Sequence, residues 1–232
     1  MDFLKRIAAT FPGLWQYELR RIYYGLHIQL NRFFTTEPEY SLLPALLSPG
    51  DCVVDIGANI GVYTKRCSEL VGKNGRVIAF EPVPETFALL TSNVQRFGFA
   101  NVTLINAAVS DESALVGMSM PTFDTGLKNF YQACVVQGMD RQTDGLQVMT
   151  VRLDSLRIPQ RVALVKIDVE GHEASVLRGM TDLLHRDYPS LIVETSSPAV
   201  EANLRSMGYL AKRLDGSPNI LFWHKSHQEQ IF

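Results

Sequence analysis

The stretch VVDIGANIGVYT, residues 53–64, decides the fold of this chain. It joins the end of a short apolar run, which is typical of a buried strand, to a helical pattern that begins near Val62. The residues that mark the turn are Asp55, Gly57, Asn59 and Gly61. Glycine permits a tight turn that a Cβ would strain. A strand, a glycine turn and a helix in this order indicate the ligand-binding crossover of a doubly wound α/β sheet.

Strand and helix patterns alternate on the carboxyl side of this turn, which predicts a mostly parallel sheet covered on both faces. The predicted strands are 52–57, 76–82, 102–109, 146–153 and 190–196, together with 162–171, where a strand enters a turn. The predicted helices are 62–71, 84–97, 173–185 and 198–208. Two further apolar runs, 209–214 and 220–224, flank Asp215-Gly216 and predict an antiparallel hairpin at the edge of the sheet.

The chain divides into a helical extension, residues 1–45, and a ligand-binding domain, residues 46–232. From Leu14 to Phe34 apolar residues recur every three or four positions, which predicts an amphipathic helix packed on the core or on a second subunit of a homo-oligomer. Attachment to an anionic membrane surface is the less favoured alternative. Residues 110–150 contain many turn formers and predict a functional insert near the site of the second substrate.

Composition excludes several classes of protein. The 22 basic and 24 acidic residues give a net charge of −2, which disfavours nucleic acid as a partner. The three cysteines form neither a disulfide framework nor a zinc motif. We see no secretory signal and no apolar run of about 18 residues, the length that spans a bilayer. A cytoplasmic protein is therefore expected.

Two acidic residues at strand ends indicate which ligand the turn holds. The Asp55 carboxylate repels an anion and suits a ligand with an ammonium group, such as S-adenosylmethionine (AdoMet). Glu81, which ends the second strand, is placed to accept the hydroxyls of a ribose. Asn59 stands where a dinucleotide-binding turn has its second glycine, so AdoMet is favoured over NAD, and an NAD-dependent oxidoreductase is the alternative. Asn106, ending the third strand, either binds the adenine edge or caps the strand.

A second group of ionisable residues follows the strand at 162–171. Lys166, Asp168, Glu170 and His172 lie within seven positions, and Glu194 ends the next strand. Removal of a hydroxyl proton needs a base, for which His172, Asp168 and Glu170 are candidates, while Lys166 offsets part of the negative charge. Asp168 and Glu194 are expected to bind the hydroxyls of the acceptor directly. A divalent metal held by these two carboxylates is the less favoured alternative.

Five sequence blocks together resemble the FkbM family of methyltransferases over roughly residues 37–225. The blocks are VVDIGANIGVYT (53–64), GRVIAFEP (75–82), NAAVSD (106–111), LDSL (153–156) and VKIDVEGHEASVLRGM (165–180). The resemblance implies a seven-stranded sheet with a reversed last strand, AdoMet as methyl donor, and methylation of a hydroxyl on a sugar, glycan or secondary metabolite. It assigns Asp55, Gly57, Asn59, Gly61 and Glu81 to the cofactor and the 166–172 block to the acceptor. A non-catalytic AdoMet-binding protein is the remaining alternative.

Overall fold

The computed structural model describes residues 13–119, 134–136 and 146–226. Its main sheet has seven strands in the order β10-β11-β9-β8-β1-β2-β3. The strands are β1 (Cys52–Ile56), β2 (Arg76–Phe80), β3 (Val102–Ile105), β8 (Val162–Ile167), β9 (Ser190–Glu194), β10 (Tyr209–Arg213) and β11 (Asn219–His224). β11 runs antiparallel to both of its neighbours, and the remaining pairs are parallel. The doubly wound fold with an antiparallel C-terminal hairpin is confirmed.

Seven helices are described around this sheet. They are α1 (Gly13–Gln29), α2 (Pro38–Leu46), α3 (Val62–Val71), α4 (Pro84–Val94), α5 (Glu173–Arg178), α6 (Thr181–Asp187) and α7 (Pro198–Ser206). Because successive side chains of a strand point to opposite faces, Val53 packs in one apolar layer while Val54 and Ile56 pack in the other. All five residues of β1 are buried, which explains why this central strand is a nearly continuous apolar run.

The described part of the insert forms a second, smaller sheet. Its strands are β4 (Ala108–Val109), β5 (Leu115–Ser119), β6 (Cys134–Val136) and β7 (Leu146–Val151), in the order β4-β7-β5-β6. Val83, Met118 and Val148 pack together and attach this sheet to the loop that follows β2. Predictions for residues 120–133 and 137–145 lie outside the described residues.

The predicted continuous strand 102–109 was wrong, because the chain leaves the main sheet after Ile105 and joins the second sheet at Ala108. The side-chain amide of Asn106 donates to the carbonyl oxygens of Glu81 and Pro82, at 2.8 and 3.0 Å. These bonds hold the chain in a turn between the two strands. The redirection therefore depends on a contact with the loop after β2, which the apolar run itself does not reveal.

The predicted helix 173–185 was also wrong as a single helix, since α5 ends at Arg178 and α6 begins at Thr181. Gly179 separates them, and a Cβ built on it would lie 1.9 Å from the carbonyl oxygen of Ser110. The backbone of Ser110 thus occupies the space that a side chain would need. The interruption allows the loop after β4 to approach the helix closely.

The predicted helix from Leu14 to Phe34 is shorter than expected and is followed by a second one. α1 ends at Gln29, and Asn31 takes a left-handed conformation with φ of +53°. α1 packs on α4, where the Tyr17 hydroxyl donates to the carbonyl oxygen of Ala88 at 3.4 Å. None of the helices within the described ranges has the length and apolar character needed to span a bilayer.

Candidate active site

The candidate site is a cleft at the edge of the main sheet where the parallel strands end, the usual ligand position in doubly wound folds. It encloses about 920 Å³, including the part that opens to solvent. Predicted site residues form much of its wall: Gly57, Asn59, Glu81, Asp168, Glu170, His172 and Glu194. The other predicted residues, Asp55, Gly61, Asn106 and Lys166, lie outside that wall. The structure therefore brings most of the two predicted groups together in one cleft.

The turn after β1 is held by hydrogen bonds from its backbone amides to the end of β2. The amides of Gly57 and Ala58 both donate to the carbonyl oxygen of Phe80, at 3.0 and 2.8 Å. Gly57 has φ of +80°, and a Cβ on it would lie 1.9 Å from the carbonyl oxygen of Asp168. Asn59 also has a positive φ, +51°, which asparagine tolerates better than most residues. The turn thus lies directly against the end of β8.

Glu81 lies at the base of the cleft, and its two carboxylate oxygens accept from different backbone amides. Asn59 donates to Oε2 and Val83 donates to Oε1, each at 2.9 Å. Burial raises the pKa of Glu81 to about 7, although these two bonds lower it. A carboxylate oxygen has more than one lone pair, so Glu81 retains acceptor capacity for two neighbouring hydroxyls.

Asp55 lies behind the turn and is fully buried. The Thr64 hydroxyl donates to its Oδ2 at 2.6 Å. Its Oδ1 is also buried and has no hydrogen-bond partner among the residues that the structure describes. Burial raises the pKa of Asp55, while the nearby charge of Lys166 lowers it. A buried acceptor without a donor is costly, so this atom is suited to a hydrogen-bond donor that arrives with a ligand.

Gly61 and Asn106 shape the surroundings of the cleft. Gly61 has φ of +93°, and a Cβ there would lie 2.7 Å from Cδ1 of Leu90 on α4. Its missing side chain lets α3 begin close to α4. Asn106 directs its amide to the loop after β2, as described above, so its side chain braces that loop. This contact agrees with the strand-capping alternative for Asn106.

Lys166 forms a nearly buried ion pair beneath the cleft. Its Nζ donates to Oδ2 of Asp168 at 2.8 Å, and only 7% of the lysine side chain is exposed. The ammonium also lies 4.7 Å from the centre of the Tyr63 ring, a favourable cation–π geometry. Burial lowers the pKa of Lys166, but the carboxylates of Asp168 and Asp55 outweigh that effect and raise it overall. The lysine is therefore a permanent positive charge under the acidic residues.

Three carboxylates converge at the acceptor side of the cleft. Ligand-capable oxygens of Asp168, Glu170 and Glu194 lie within 4.8 Å of one another. Burial and the charges of the other two raise the pKa of Glu194 to about 7. The strand does not continue as far as Glu170, since β8 ends at Ile167 and Glu170 has φ of +50°. The cluster has the chemistry to bind either hydroxyls or a divalent cation.

His172 also lines the cleft and is held by a hydrogen-bonded chain. Its Nε2 lies 2.9 Å from the Ser110 hydroxyl, which in turn donates to Asp111 at 3.1 Å. Asp111 is ion-paired with Arg178 at 2.8 Å. Burial lowers the pKa of His172, although the charge of Asp111 opposes this, so the ring is neutral at neutral pH. A neutral imidazole has one nitrogen with a free lone pair.

Several residues of the site were missed in the sequence. Ser110 binds His172 across 62 positions of the chain, and Met118 of the insert lines the cleft. The Tyr63 hydroxyl donates to Glu37 at 2.5 Å, and a carboxylate oxygen of the completely buried Glu39 lies 3.1 Å from the same hydroxyl. Ser110 and Tyr63 had a local signal, because they belong to the quoted blocks 106–111 and 53–64. The others come from distant parts of the chain and join the site through packing.

The strand order and the position of the cleft define the class of protein. A seven-stranded sheet with a reversed strand between two neighbours, and a ligand cleft at the carboxyl ends, is the fold of class I methyltransferases. The solved structure of methyltransferase FkbM from Methylobacillus flagellatus KT matches with a TM-score of 0.56 at 18% identity, covering 96% of this chain and 60% of that one. That likeness supports the fold.

The chain belongs to the FkbM methyltransferase domain family, whose family model matches residues 55–214. Hexuronic acid methyltransferase AglP from Haloferax volcanii is 32% identical over 139 residues, covering 58% of this chain and 52% of AglP. The 31-O-demethyl-FK506 methyltransferase FkbM from Streptomyces tacrolimicus is 30% identical over 171 residues, covering 62% of this chain and 64% of that protein. The chain thus spans about half to two thirds of these relatives.

Proposed function

We propose that this protein transfers a methyl group from AdoMet to a hydroxyl of a sugar or secondary metabolite. One observation carries the proposal. A single cleft contains both the glycine turn with Glu81, the candidate acceptor of the ribose hydroxyls, and the neutral His172 beside three carboxylates. Two similar proteins support it by their names, one a hexuronic acid methyltransferase and the other a 31-O-demethyl-FK506 methyltransferase. Family membership adds the methyltransferase activity.

The residues present fit AdoMet. The orphaned Oδ1 of Asp55 is an acceptor for an N–H group of the methionyl part, directly or through one water. Glu81 accepts the ribose hydroxyls with its remaining lone pairs. The bare Cα of Gly57 lets the turn lie directly against the backbone of Asp168, which lines the acceptor side of the same cleft. When bound, AdoMet supplies the methyl group on a positively charged sulfur, and the cleft favours that charge because its carboxylates outnumber the single ammonium of Lys166.

The hydrogen-bonded chain around His172 supports our proposal that this residue is the base. The Ser110 hydroxyl has one hydrogen and donates it to Asp111, so its oxygen accepts from Nε2–H of His172. If Ser110 instead donated to the ring, its oxygen would face the Asp111 carboxylate without a hydrogen between them. Nε2 therefore carries the proton of the neutral ring. Nδ1 keeps the lone pair that removes the proton of the acceptor hydroxyl as the methyl group moves.

The three carboxylates bind the acceptor in this proposal. A carboxylate accepts several hydroxyl donors, and a protonated Glu194 also donates, so the cluster matches a polyhydroxylated ligand. Lys166 holds Asp168 in place from below, and its charge lets three acids share a small volume. Binding and alignment of both substrates supply much of the acceleration in reactions of this kind.

Ligand binding tests the cofactor assignment. We expect AdoMet, and not NAD, to raise the melting temperature and to give a heat of binding in calorimetry. Asp55→Asn should lower AdoMet affinity at least tenfold, and Asp51→Asn, which changes a partly exposed aspartate outside the cleft, should leave it unchanged. A folded Asp55→Asn protein with full affinity would overturn the role of Asp55. Stabilisation by NAD alone would overturn the proposed function.

Single-turnover kinetics test the base. His172→Ala should slow methyl transfer by a factor of about 100 or more, the usual contribution of a positioned base. Glu194→Gln should mainly weaken binding of the acceptor, because an amide still hydrogen-bonds to hydroxyls. Ser110→Ala should retain AdoMet affinity but lose part of the rate. Full single-turnover rate in His172→Ala would remove His172 as the base, and an equally large loss in Glu194→Gln would assign that role to Glu194.

Mass spectrometry identifies the class of acceptor. The protein is incubated with AdoMet and a panel of uronic acids, neutral sugars, oligosaccharides and hydroxylated macrocycles. A mass increase of one methyl group, placed on oxygen by fragmentation, is the expected result. Methylation only at the carboxylate of a uronic acid, with every hydroxyl in the panel unchanged, would contradict the proposal.

A further inference from the structure

Helix α1 carries apolar side chains on two opposite faces. One face packs on α4 and the loop after it: Ile28 and Phe33 are buried, and Gly25 lies close to Arg96. The opposite face is open and holds large hydrophobic residues. They are Trp15, Leu19, Ile22, Tyr23 and Leu26, with Leu30 and Phe34 just beyond the helix, and all are between 45% and 63% exposed. We call these seven residues the outer stripe.

The outer stripe contains most of the exposed large hydrophobic residues that the structure describes. The remaining four are Phe99, Leu115, Met149 and Leu156, which lie on other elements. Contiguous apolar patches are uncommon on monomeric proteins, and they usually mark a surface that another molecule covers. The second apolar face of α1 is not needed for folding of the chain on itself, because the first face already provides the contact with α4. The outer stripe is therefore an interaction surface.

The spacing of the outer stripe fits the same helix from a second copy. Trp15, Leu19, Ile22, Leu26 and Leu30 follow at intervals of three and four, the spacing of a seam between two helices. The stripe is also symmetric about a point between Ile22 and Tyr23. In an antiparallel pair on a twofold axis through that point, Trp15 faces Leu30 and Leu19 faces Leu26 of the other copy. A self-complementary patch is what an isologous dimer requires.

The area agrees with a stable dimer. From the exposed fractions of the seven side chains we estimate roughly 700–800 Å² of apolar surface per copy, close to the ~800 Å² per partner of a standard protein interface. Aromatic residues, which dominate the energetics of interfaces, occupy both ends of the stripe and its centre. The surface is thus large enough to associate without help from other parts of the chain.

The charges near the stripe favour a protein partner over a lipid surface. At 3.6 residues per turn, Glu18 lies about 90° from the centre of the stripe, whereas Arg20 and Arg21 lie roughly 110° and 150° away. Arg21 is ion-paired with Glu18 at 2.6 Å. The acid is therefore nearer the stripe than either arginine, the reverse of a helix that lies on anionic lipid with its basic residues at the edges.

We propose that two copies of this protein associate through the outer stripes of their α1 helices, packed antiparallel about a twofold axis near Ile22. This inference is independent of the methyltransferase reaction. The dimer covers the exposed aromatic and aliphatic side chains and leaves the cleft-lining residues of each copy outside the paired stripes. No charge is buried in the seam, because all the stripe residues are apolar.

Oligomeric state in solution tests the proposal. Sedimentation velocity of the full chain over a range of concentrations should give a dimer mass, twice 26.0 kDa. Ile22→Asp places two carboxylates at the axis and should weaken the dimer at least 100-fold. Leu115→Asp, the matched control, alters a 75% exposed leucine elsewhere and should leave the dimer intact. A monomeric wild-type protein, or a dimer that survives Ile22→Asp, would overturn the inference.

Cross-linking tests the orientation of the two helices. In a background with Cys134→Ser, an Ile22→Cys protein should form a disulfide-linked dimer on mild oxidation, because its two copies face each other. Trp15→Cys should not, since its two copies lie about 22 Å apart along an antiparallel pair. Rapid cross-linking of Trp15→Cys would indicate a parallel pair. A monomer that instead co-sediments with phosphatidylserine vesicles would assign the stripe to a lipid surface.

Discussion

Replacement of Gly57 with alanine is the sharpest test of how the turn after β1 fits against β8. The Cβ of the variant would lie 1.9 Å from the carbonyl oxygen of Asp168, far inside van der Waals contact. The residue would also keep a positive φ, which costs an L-residue about 1–2 kcal/mol. Overpacking adds about 1–3 kcal/mol, so we expect Gly57→Ala to lower the free energy of unfolding by about 2–5 kcal/mol.

Gly216→Ala provides a matched control. Gly216 has the same φ of +80° as Gly57, but a Cβ on it would meet nothing within 4 Å. This variant therefore has the conformational cost without the steric one, and about 1–2 kcal/mol is expected. The difference between the two variants isolates the close approach of the Asp168 backbone.

Urea denaturation followed by circular dichroism measures both free energies of unfolding, provided that the two variants keep the m-value of the wild type. Calorimetry with AdoMet, carried out on folded protein, adds a functional readout. Gly57→Ala should lose affinity because the turn must move, and Gly216→Ala should not. Equal losses of stability in the two variants would refute the argument that Asp168 leaves no room for a side chain.

Three further predictions concern buried charge. The pKa of Glu81, about 7 in the folded protein, lies above its usual 4.5, so its contribution to stability is complete below pH 4.5 and falls by about 3 kcal/mol as the pH rises to 7. In Glu81→Gln the fall measured by denaturation should be smaller by about this amount, because Glu194 still contributes its own part, and an unchanged slope would contradict the assignment. Lys166→Met should lower the free energy of unfolding by about 2–4 kcal/mol in the same assay, because it leaves Asp168 without its partner. Adding Asp168→Asn should restore part of the loss, and no recovery would count against the ion pair as the cause. Dialysis against EDTA should leave the rate of methyl transfer unchanged. Glu194, with a pKa of about 7, holds a proton in many molecules near neutral pH and therefore binds cations poorly. Activity that is lost and then returns with Mg²⁺ would contradict this expectation.

Features with a local cause were predictable from the sequence. The turn after β1 was found because its glycine positions have a backbone requirement that is visible in the residues themselves. The alternation of strands and helices was found because the periodicity of apolar residues reflects the faces that each element buries. The acid at the end of β2 was found because it follows such an apolar run directly. The convergence of Asp168 and Glu194 followed from the adjacency of β8 and β9.

Features set by distant contacts were not predictable. The chain leaves the main sheet at Asn106 because that side chain bonds to the loop after β2, and no apolar pattern records this. The buried pairing of Glu39 with Asn219 joins residues 180 positions apart. The conformation of Glu170 was missed because an alternating pattern of acids looks extended, whereas the backbone turns there with a positive φ.

Gly179, between α5 and α6, influences which nitrogen of the His172 ring carries the proton. The absent side chain of Gly179 admits the backbone of Ser110, and the hydroxyl of Ser110 is what distinguishes the two ring nitrogens of His172. A methyl group at position 179 would push that hydroxyl away, and the two neutral tautomers would become nearly equal in free energy. Roughly half of the molecules would then present an N–H at the ring nitrogen that we propose as the base. The protonation pattern of the cleft is thus fixed by the place where a helix is interrupted.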